Sequence, residues 1–265
     1  MKVIQIDELR ELQMQILDYV DAFCRKHDIK YTLSGGSLLG AVRHGGFIPW
    51  DDDMDIQMLR DEYNRFTELW NVEKNTHPFE LVNIESGNAM GYPIGKVHNP
   101  KTVTFSAGVE RTGVFVDIFP VDKVLDDEDF SRRRKSIKWL KKQEGYAFVL
   151  DSSKSHHVGW MACVKAWLIT LGHPRTYFAE KINNLARCKN SYDAEYVFEM
   201  VAGMKCKRPI RASVFDEYAD VQFENRKYMA VKDYDAYLTA TFGDYMTPPP
   251  PEKQVKEHDF SAFWR

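Results

Sequence analysis

The sequence predicts an α+β fold, with a mixed sheet flanked by helices over residues 1–125 and a mainly helical part over 126–265 whose tail packs back on the sheet. Three observations lead there. Short β-branched and aromatic runs alternate with helical patterns up to residue 121, helical patterns dominate from 126 onward, and the last stretch joins a proline run to aromatics. A chain of 265 residues can hold these parts as two units or as one continuous domain.

Residues 7–28 place Leu9, Leu12, Ile16, Val20 and Phe23 at helical steps behind Asp7, a residue suited to capping the helix start. "IKYTL" (29–33) reads as a strand, and "SGGSLLGAVRHGG" (34–46) as a glycine turn, a short helix and a second glycine turn. "MDIQML" (54–59) alternates like a strand, and "RDEYNRFTELW" (60–70) follows as a helix. Strands are expected at 79–85, 91–99, 102–106 and 113–121. Helices are expected at about 127–150, 156–171, 174–187 and 233–242, with a strand-like stretch near 195–223. The apolar run "VGWMACVKAWLITLG" (158–172) is short for a membrane span and carries Lys165, so it reads as a buried helix, with a helix lying on a membrane surface as the alternative. The tail "MTPPPPEKQVKEHDFSAFWR" opens extended, and Phe260, Phe263 and Trp264 imply that it docks.

Composition excludes several classes. A net charge of −3 argues against a nucleic-acid binder. Cys24, Cys163, Cys188 and Cys206 lack metal-site or disulfide spacing, and the start "MKVIQIDELR" has no apolar core of a signal peptide, so the expected location is cytoplasmic.

The segment "GGFIPWDDDMDIQM" (45–58) sets four aspartates in five positions among residues that favour burial. A charge run is most often a solvated loop. Here strand alternation would bring Asp51, Asp53 and Asp55 to one face, with Met54 and Ile56 on the other. Converging carboxylates repel until a hard divalent cation binds them. Upstream, "SGGS" (34–37) joins a strand to a helix, which points backbone N–H groups at phosphate oxygens. Asp117, set between Val116 and Ile118, is expensive to bury unpaired and fits a third carboxylate.

These residues resemble the nucleotidyltransferase fold, the polymerase-beta-like superfamily. The fuller strings "LSGGSLLGAVRHGGFIPWDDDMDIQM", "VFVDIFPVD" and "YMTPPPPEKQVKEH" resemble the LicD family, related to fukutin and fukutin-related protein. The resemblance implies transfer of phosphocholine from CDP-choline to a sugar hydroxyl of a teichoic acid or lipopolysaccharide precursor, with CMP leaving. It implies Asp53 and Asp55 as magnesium ligands, Asp117 as the third carboxylate, Asp51 as an acidic neighbour, and Gly35, Gly36 and Ser37 as the cradle of the donor phosphates. Manganese is the alternative metal.

Arg43 and Lys96 are candidate phosphate contacts, and His258 a candidate for closing the site. A choline cage would draw on Trp50, Tyr63, Tyr92, Trp160 or Trp264. The basic helix near 127–150 is either a solvated face or a surface that meets an anionic glycan or the inner membrane face. Other readings are transfer of phosphoethanolamine, glycerol phosphate or ribitol phosphate from a CDP donor, nucleotidyl transfer from an NTP, or a non-catalytic nucleotide- or metal-binding module.

Overall fold

The computed structural model describes residues 1–86, 92–106, 109–152, 160–202, 208–255 and 260–265. β1 (Lys2–Val3) and α1 (Ile6–Lys26) open the chain, followed by β2 (Thr32–Leu33), α2 (Gly35–His44), β3 (Asp55–Leu59) and α3 (Arg60–Val72). Next come β4 (Glu80–Val82), β5 (Gly95–His98), β6 (Thr102–Ser106), β7 (Val109–Glu110) and β8 (Phe115–Val124). The second half holds α4 (Asp127–Ser152), α5 (Trp160–Thr170), α6 (Arg175–Arg187), β9 (Tyr196–Phe198) and β10 (Ile210–Arg211). The hairpin of β11 (Tyr218–Phe223) and β12 (Arg226–Val231), then α7 (Tyr234–Phe242) and β13 (Phe260–Trp264), complete it.

A mixed α/β arrangement results. Parallel β3 and β8 form the centre of the main sheet, and β2 adds antiparallel to β3. The far edge of β8 is shared, with β5 pairing its first half and β9 its second, both antiparallel. A second sheet runs β1–β13–β6–β7. Its β13 pairs residues 260–264 with 102–106, so the last strand lies against one from the first half.

Alternation sorts the centre. Ile56, Met58, Val116 and Ile118 are fully buried in one cluster with Leu9, Leu12, Ile16, Val20 and Phe23 of α1. Burying each such side chain is worth about 1.5–3 kcal/mol. The opposite face of the same strands carries Asp55, Gln57, Asp117 and Phe119. Beneath that face Arg60, at the start of α3, donates from Nε and Nη2 to both oxygens of Asp122 at 2.8 and 2.9 Å. Arg60 Nη1 also reaches Asn183 Oδ1 at 2.9 Å, and Asn190 Nδ2 donates to Asp122 Oδ1 at 2.6 Å. This buried knot ties α3, β8 and α6 together.

Three sequence expectations need correction. Helix α1 begins at Ile6 with Gln5 at the cap position, so Asp7 lies within the first turn, where its charge meets the helix dipole rather than capping an N–H. The strands β1, β12 and β13 have no counterpart in the expected elements: β1 and β13 are fixed by distant partners rather than by local pattern, and β12 is the returning arm of the local hairpin with β11. Helix α5 is not a buried helix. Its Ala166 and Thr170 are buried, while Trp160, Met161, Trp167, Leu168 and Leu171 are exposed.

Candidate active site

A cleft of about 690 Å³ opens over the face that carries Asp55 and Asp117. Its floor is built by register. Asp55 of β3 and Asp117 of β8 are directly paired across the parallel ladder, so both carboxylates leave the sheet on the same side as neighbours. Lys96 of β5 pairs with Asp117 from the other edge, and its ammonium forms an ion pair with the Asp117 carboxylate. Lys96 also lies 3.7 Å from the centre of the Phe115 ring. The row across three strands is therefore carboxylate, carboxylate, ammonium.

Asp51 and Asp53 line the same cleft from the loop before β3. The regular strand starts only at Asp55, yet the odd positions share one side as alternation predicts. Helix α1 holds this loop by its backbone. Arg10 Nη2 donates to the carbonyls of Ile48, Pro49 and Asp51 at 3.1, 3.0 and 2.7 Å, and Gln13 Nε2 donates to the carbonyl of Asp52 at 3.0 Å.

The glycine turn forms the adjacent wall. Gly35 has φ +49°, and Ser34, at the cap position of α2, makes no side-chain bond to the helix N–H groups. Open N–H groups at a helix start favour an anion. A Cβ on Gly36 would come within 2.4 Å of Asp51 Oδ2. Gly36→Ala should therefore leave the melting temperature unchanged or slightly raised, since alanine favours a helix by about 1 kcal/mol over glycine. It should lower turnover by displacing the Asp51 carboxylate, and differential scanning fluorimetry beside a turnover assay separates the two effects.

Ser37 is buried and its hydroxyl accepts the backbone N–H of Asp55 at 2.9 Å, so it sets the position of Asp55 from behind the cleft. Arg43 lines the cleft and donates to the carbonyl of Tyr245 at 2.8 Å. His258 lies outside the described residues. Of the aromatic candidates, Trp50 lines the cleft, while Tyr63 is in the core, Tyr92 lies under Arg175, Trp160 is exposed on α5 and Trp264 donates to Glu8. Phe119, Phe242 and Tyr245 are further aromatic walls that the sequence did not single out. The proline tail contributes Thr247, Pro249 and Lys253 to the rim.

Glu199 also escaped sequence reasoning. It follows β9, is buried, and lines the cleft. Gln57 Nε2 donates to Glu199 Oε2 at 2.9 Å, and Tyr237 donates to Gln57 Oε1 at 3.0 Å while its oxygen accepts the N–H of Gly35 at 3.4 Å. A buried chain of hydrogen bonds thus links Glu199 to the glycine turn. Burial pushes the Glu199 carboxyl up to about 8, against the opposing pull of Gln57 and Lys141, with Asp117 adding repulsion. The signal available in sequence was the one that marks Asp117, a single carboxylate in an apolar run, here "YVFEMV" (196–201).

Asp55 sits among like charges in a buried place. Burial first, then the charges of Asp53, Asp117, Glu199 and Asp51, hold its carboxyl well above the usual range. Its Oδ1 is shut from solvent without a hydrogen-bond partner. An orphaned buried carboxylate oxygen among other carboxylates fits a hard divalent cation. Among the described residues no three histidine, cysteine, aspartate or glutamate side chains form a complete metal site.

A raised carboxyl leaves a pH signature. Where the folded value lies above the unfolded one, the stability is complete below the unfolded value and is lost as pH rises through the folded value. With chelator present, wild-type stability should fall between about 4.5 and about 8 in part through Glu199, which faces Gln57, Lys141 and Asp117. Glu199→Gln, which can still accept from Gln57, should match wild type at the acid end and melt higher at the alkaline end.

The LicD/FKTN/FKRP nucleotidyltransferase-domain family matches residues 28–150, which hold the glycine turn, the acidic loop, β3 and β8. The lipopolysaccharide cholinephosphotransferase LicD of Haemophilus influenzae is 31% identical over 274 aligned residues, covering 99% of each chain. The chain belongs to the LicD family and is a phosphotransferase. The human ribitol 5-phosphate transferase FKRP is 40% identical over 55 residues, 21% of this chain and 11% of FKRP. A Rickettsia prowazekii protein, RP689, is 44% identical over 48 residues, 18% of each chain.

Proposed function

We propose that the protein transfers phosphocholine from CDP-choline to a sugar hydroxyl of a cell-surface glycan precursor, releasing CMP, on a nucleotidyltransferase-type core. The observation that carries this reading is the in-register pair of Asp55 and Asp117 beside Asp53 and the open start of α2, all on one cleft. A full-length relative named as a cholinephosphotransferase supports the choice of alcohol. Aromatic walls from Trp50, Phe119, Phe242 and Tyr245 support it independently, since a quaternary ammonium is recognised by ring faces.

In this reading Asp53 and Asp55 hold a divalent cation, magnesium or manganese. The cation supplies neutralisation of the diphosphate charge when bound. The N–H of Gly36 receives a donor phosphate oxygen beside Gly35, whose own N–H is held by Tyr237, and Arg43 stands at the same wall. The acceptor hydroxyl attacks the phosphorus bearing choline, a new P–O bond forms, and the bond from that phosphorus to the CMP oxygen breaks with its electron pair leaving on CMP. Asp117 takes the hydroxyl proton. Lys96, paired to Asp117, fixes that carboxylate's orientation beside Asp55. Most of the rate enhancement then comes from alignment and charge stabilisation.

The relationship to FKRP keeps ribitol phosphate as the second reading. A panel of CDP-choline, CDP-ethanolamine, CDP-glycerol and CDP-ribitol, each with a glycan acceptor and magnesium, separates the two by CMP release. Preference for CDP-choline is expected. Preference for CDP-ribitol selects the second reading, and pyrophosphate release from an NTP would replace both.

A further inference from the structure

Helix α5 carries its bulk on the outside. Trp160, Met161, Val164, Trp167, Leu168 and Leu171, at the helix and its end, are 49–75% exposed, whereas the side turned inward carries the small Ala166 and Thr170. The exposed positions recur at three- and four-residue steps and so form one stripe. A contiguous apolar stripe of this size marks a contact surface.

The neighbouring helix indicates what it contacts. α5 packs against α4, whose residues Arg132, Lys135, Trp139 and Lys142 are exposed and also fall at three- and four-residue steps, with Lys138 exposed beside them. Residues 131–142 contain seven basic side chains and no acidic one. Three of the seven are not on the outer stripe: Arg133 is buried and bonded to Asp129 and to the carbonyls of Ala186 and Lys123, Arg134 is half-buried over the rings of Phe130 and Phe198, and Lys141 is half-buried near Glu199. The others named here leave a basic stripe with an exposed tryptophan in line. Lys165 stands within the apolar stripe of α5, a place where a long stem lies along apolar surface while its ammonium reaches outward.

We infer that α5 and the outer stripe of α4 form a docking surface for an anionic lipid bilayer. Tryptophan and aliphatic side chains enter the boundary between headgroups and acyl chains, and the ammonium and guanidinium groups meet lipid phosphates. No helix among the described residues is long and apolar enough to cross a membrane, so the contact is one of lying on the surface. One-signed charge beside exposed tryptophan favours this partner over a second copy, which would bring a like-charged stripe against the first. The inference does not depend on the identity of the transferred alcohol.

Co-sedimentation of the full chain with vesicles tests it. The protein should pellet with phosphatidylcholine vesicles containing one-third phosphatidylglycerol, and much less with pure phosphatidylcholine or at raised salt. Trp160→Ser combined with Trp167→Ser and Leu168→Ser should weaken binding by about tenfold or more. Each of Lys135→Glu, Lys138→Glu and Lys142→Glu should weaken it about fivefold or more. Turnover of a soluble acceptor and the melting temperature should be unchanged in all of them. Failure of the wild type to pellet with anionic vesicles, or pelleting by the variants equal to wild type, overturns the inference. So does conversion of a dimer to a monomer by the α5 substitutions on size-exclusion chromatography, which would make this face a self-interface.

Discussion

Asp55→Asn should destroy activity while making the metal-free protein more stable. The carboxylate is enclosed, its Oδ1 has no hydrogen-bond partner, and burial together with Asp53, Asp117, Glu199 and Asp51 opposes its ionisation. Because its folded value is raised, the stability it permits is present at low pH and lost as pH climbs through that value. Asparagine keeps the shape and removes the charge. At neutral pH with chelator, the variant should gain on the order of 1–3 kcal/mol in thermal or urea unfolding. Turnover should fall by about 10³-fold or more, the scale for losing one preorganised electrostatic group at a transition state. Adding magnesium with CDP-choline should raise the melting temperature of wild type and not of the variant. The opposite signs of the two effects distinguish a functional carboxylate from a structural one.

Asp122→Ala should have the opposite character, a large loss of stability without a direct part in the chemistry. Asp122 is wholly buried and takes both forks of Arg60 as well as Asn190, so its removal leaves a buried guanidinium with only Asn183 and the more distant Glu85 at 4.0 Å. Breaking such a pair costs about 3–5 kcal/mol. Replacing Arg60 and Asp122 together by leucine should be less damaging than the sum of single replacements, because neither charge is then stranded. Urea midpoints for the two single variants and the double variant check this. A double variant as unstable as the summed singles would mean that the knot acts only through shape.

The site was legible in sequence to the extent that strand parity governs it. Asp51, Asp53 and Asp55 do line one cleft, and Asp117 stood out because an ionisable group interrupts an apolar strand. The in-register neighbour relation of Asp55 and Asp117 was not legible, since it depends on β3 and β8 pairing in parallel across more than fifty residues. Glu199 was missed for a similar reason: β9 joins the edge of β8 from far along the chain and delivers that carboxylate beside Gln57. The Arg60–Asp122 pair had no local signature either, as its members look like ordinary charged residues until the sheet forms. Sequence pattern located α5 as an apolar helix but could not tell which neighbour, if any, covers each side. Inward alanine and threonine against outward tryptophan is a property of the fold.

The most direct test of the central claim is anomalous diffraction from crystals grown with CDP-choline and manganese. One or two metal peaks bounded by Asp53 and Asp55, with the donor diphosphate running toward Gly35 and Gly36 and its reacting phosphorus beside Asp117, are the expected result. Metal bound elsewhere on the chain, or donor density outside this cleft, would contradict it.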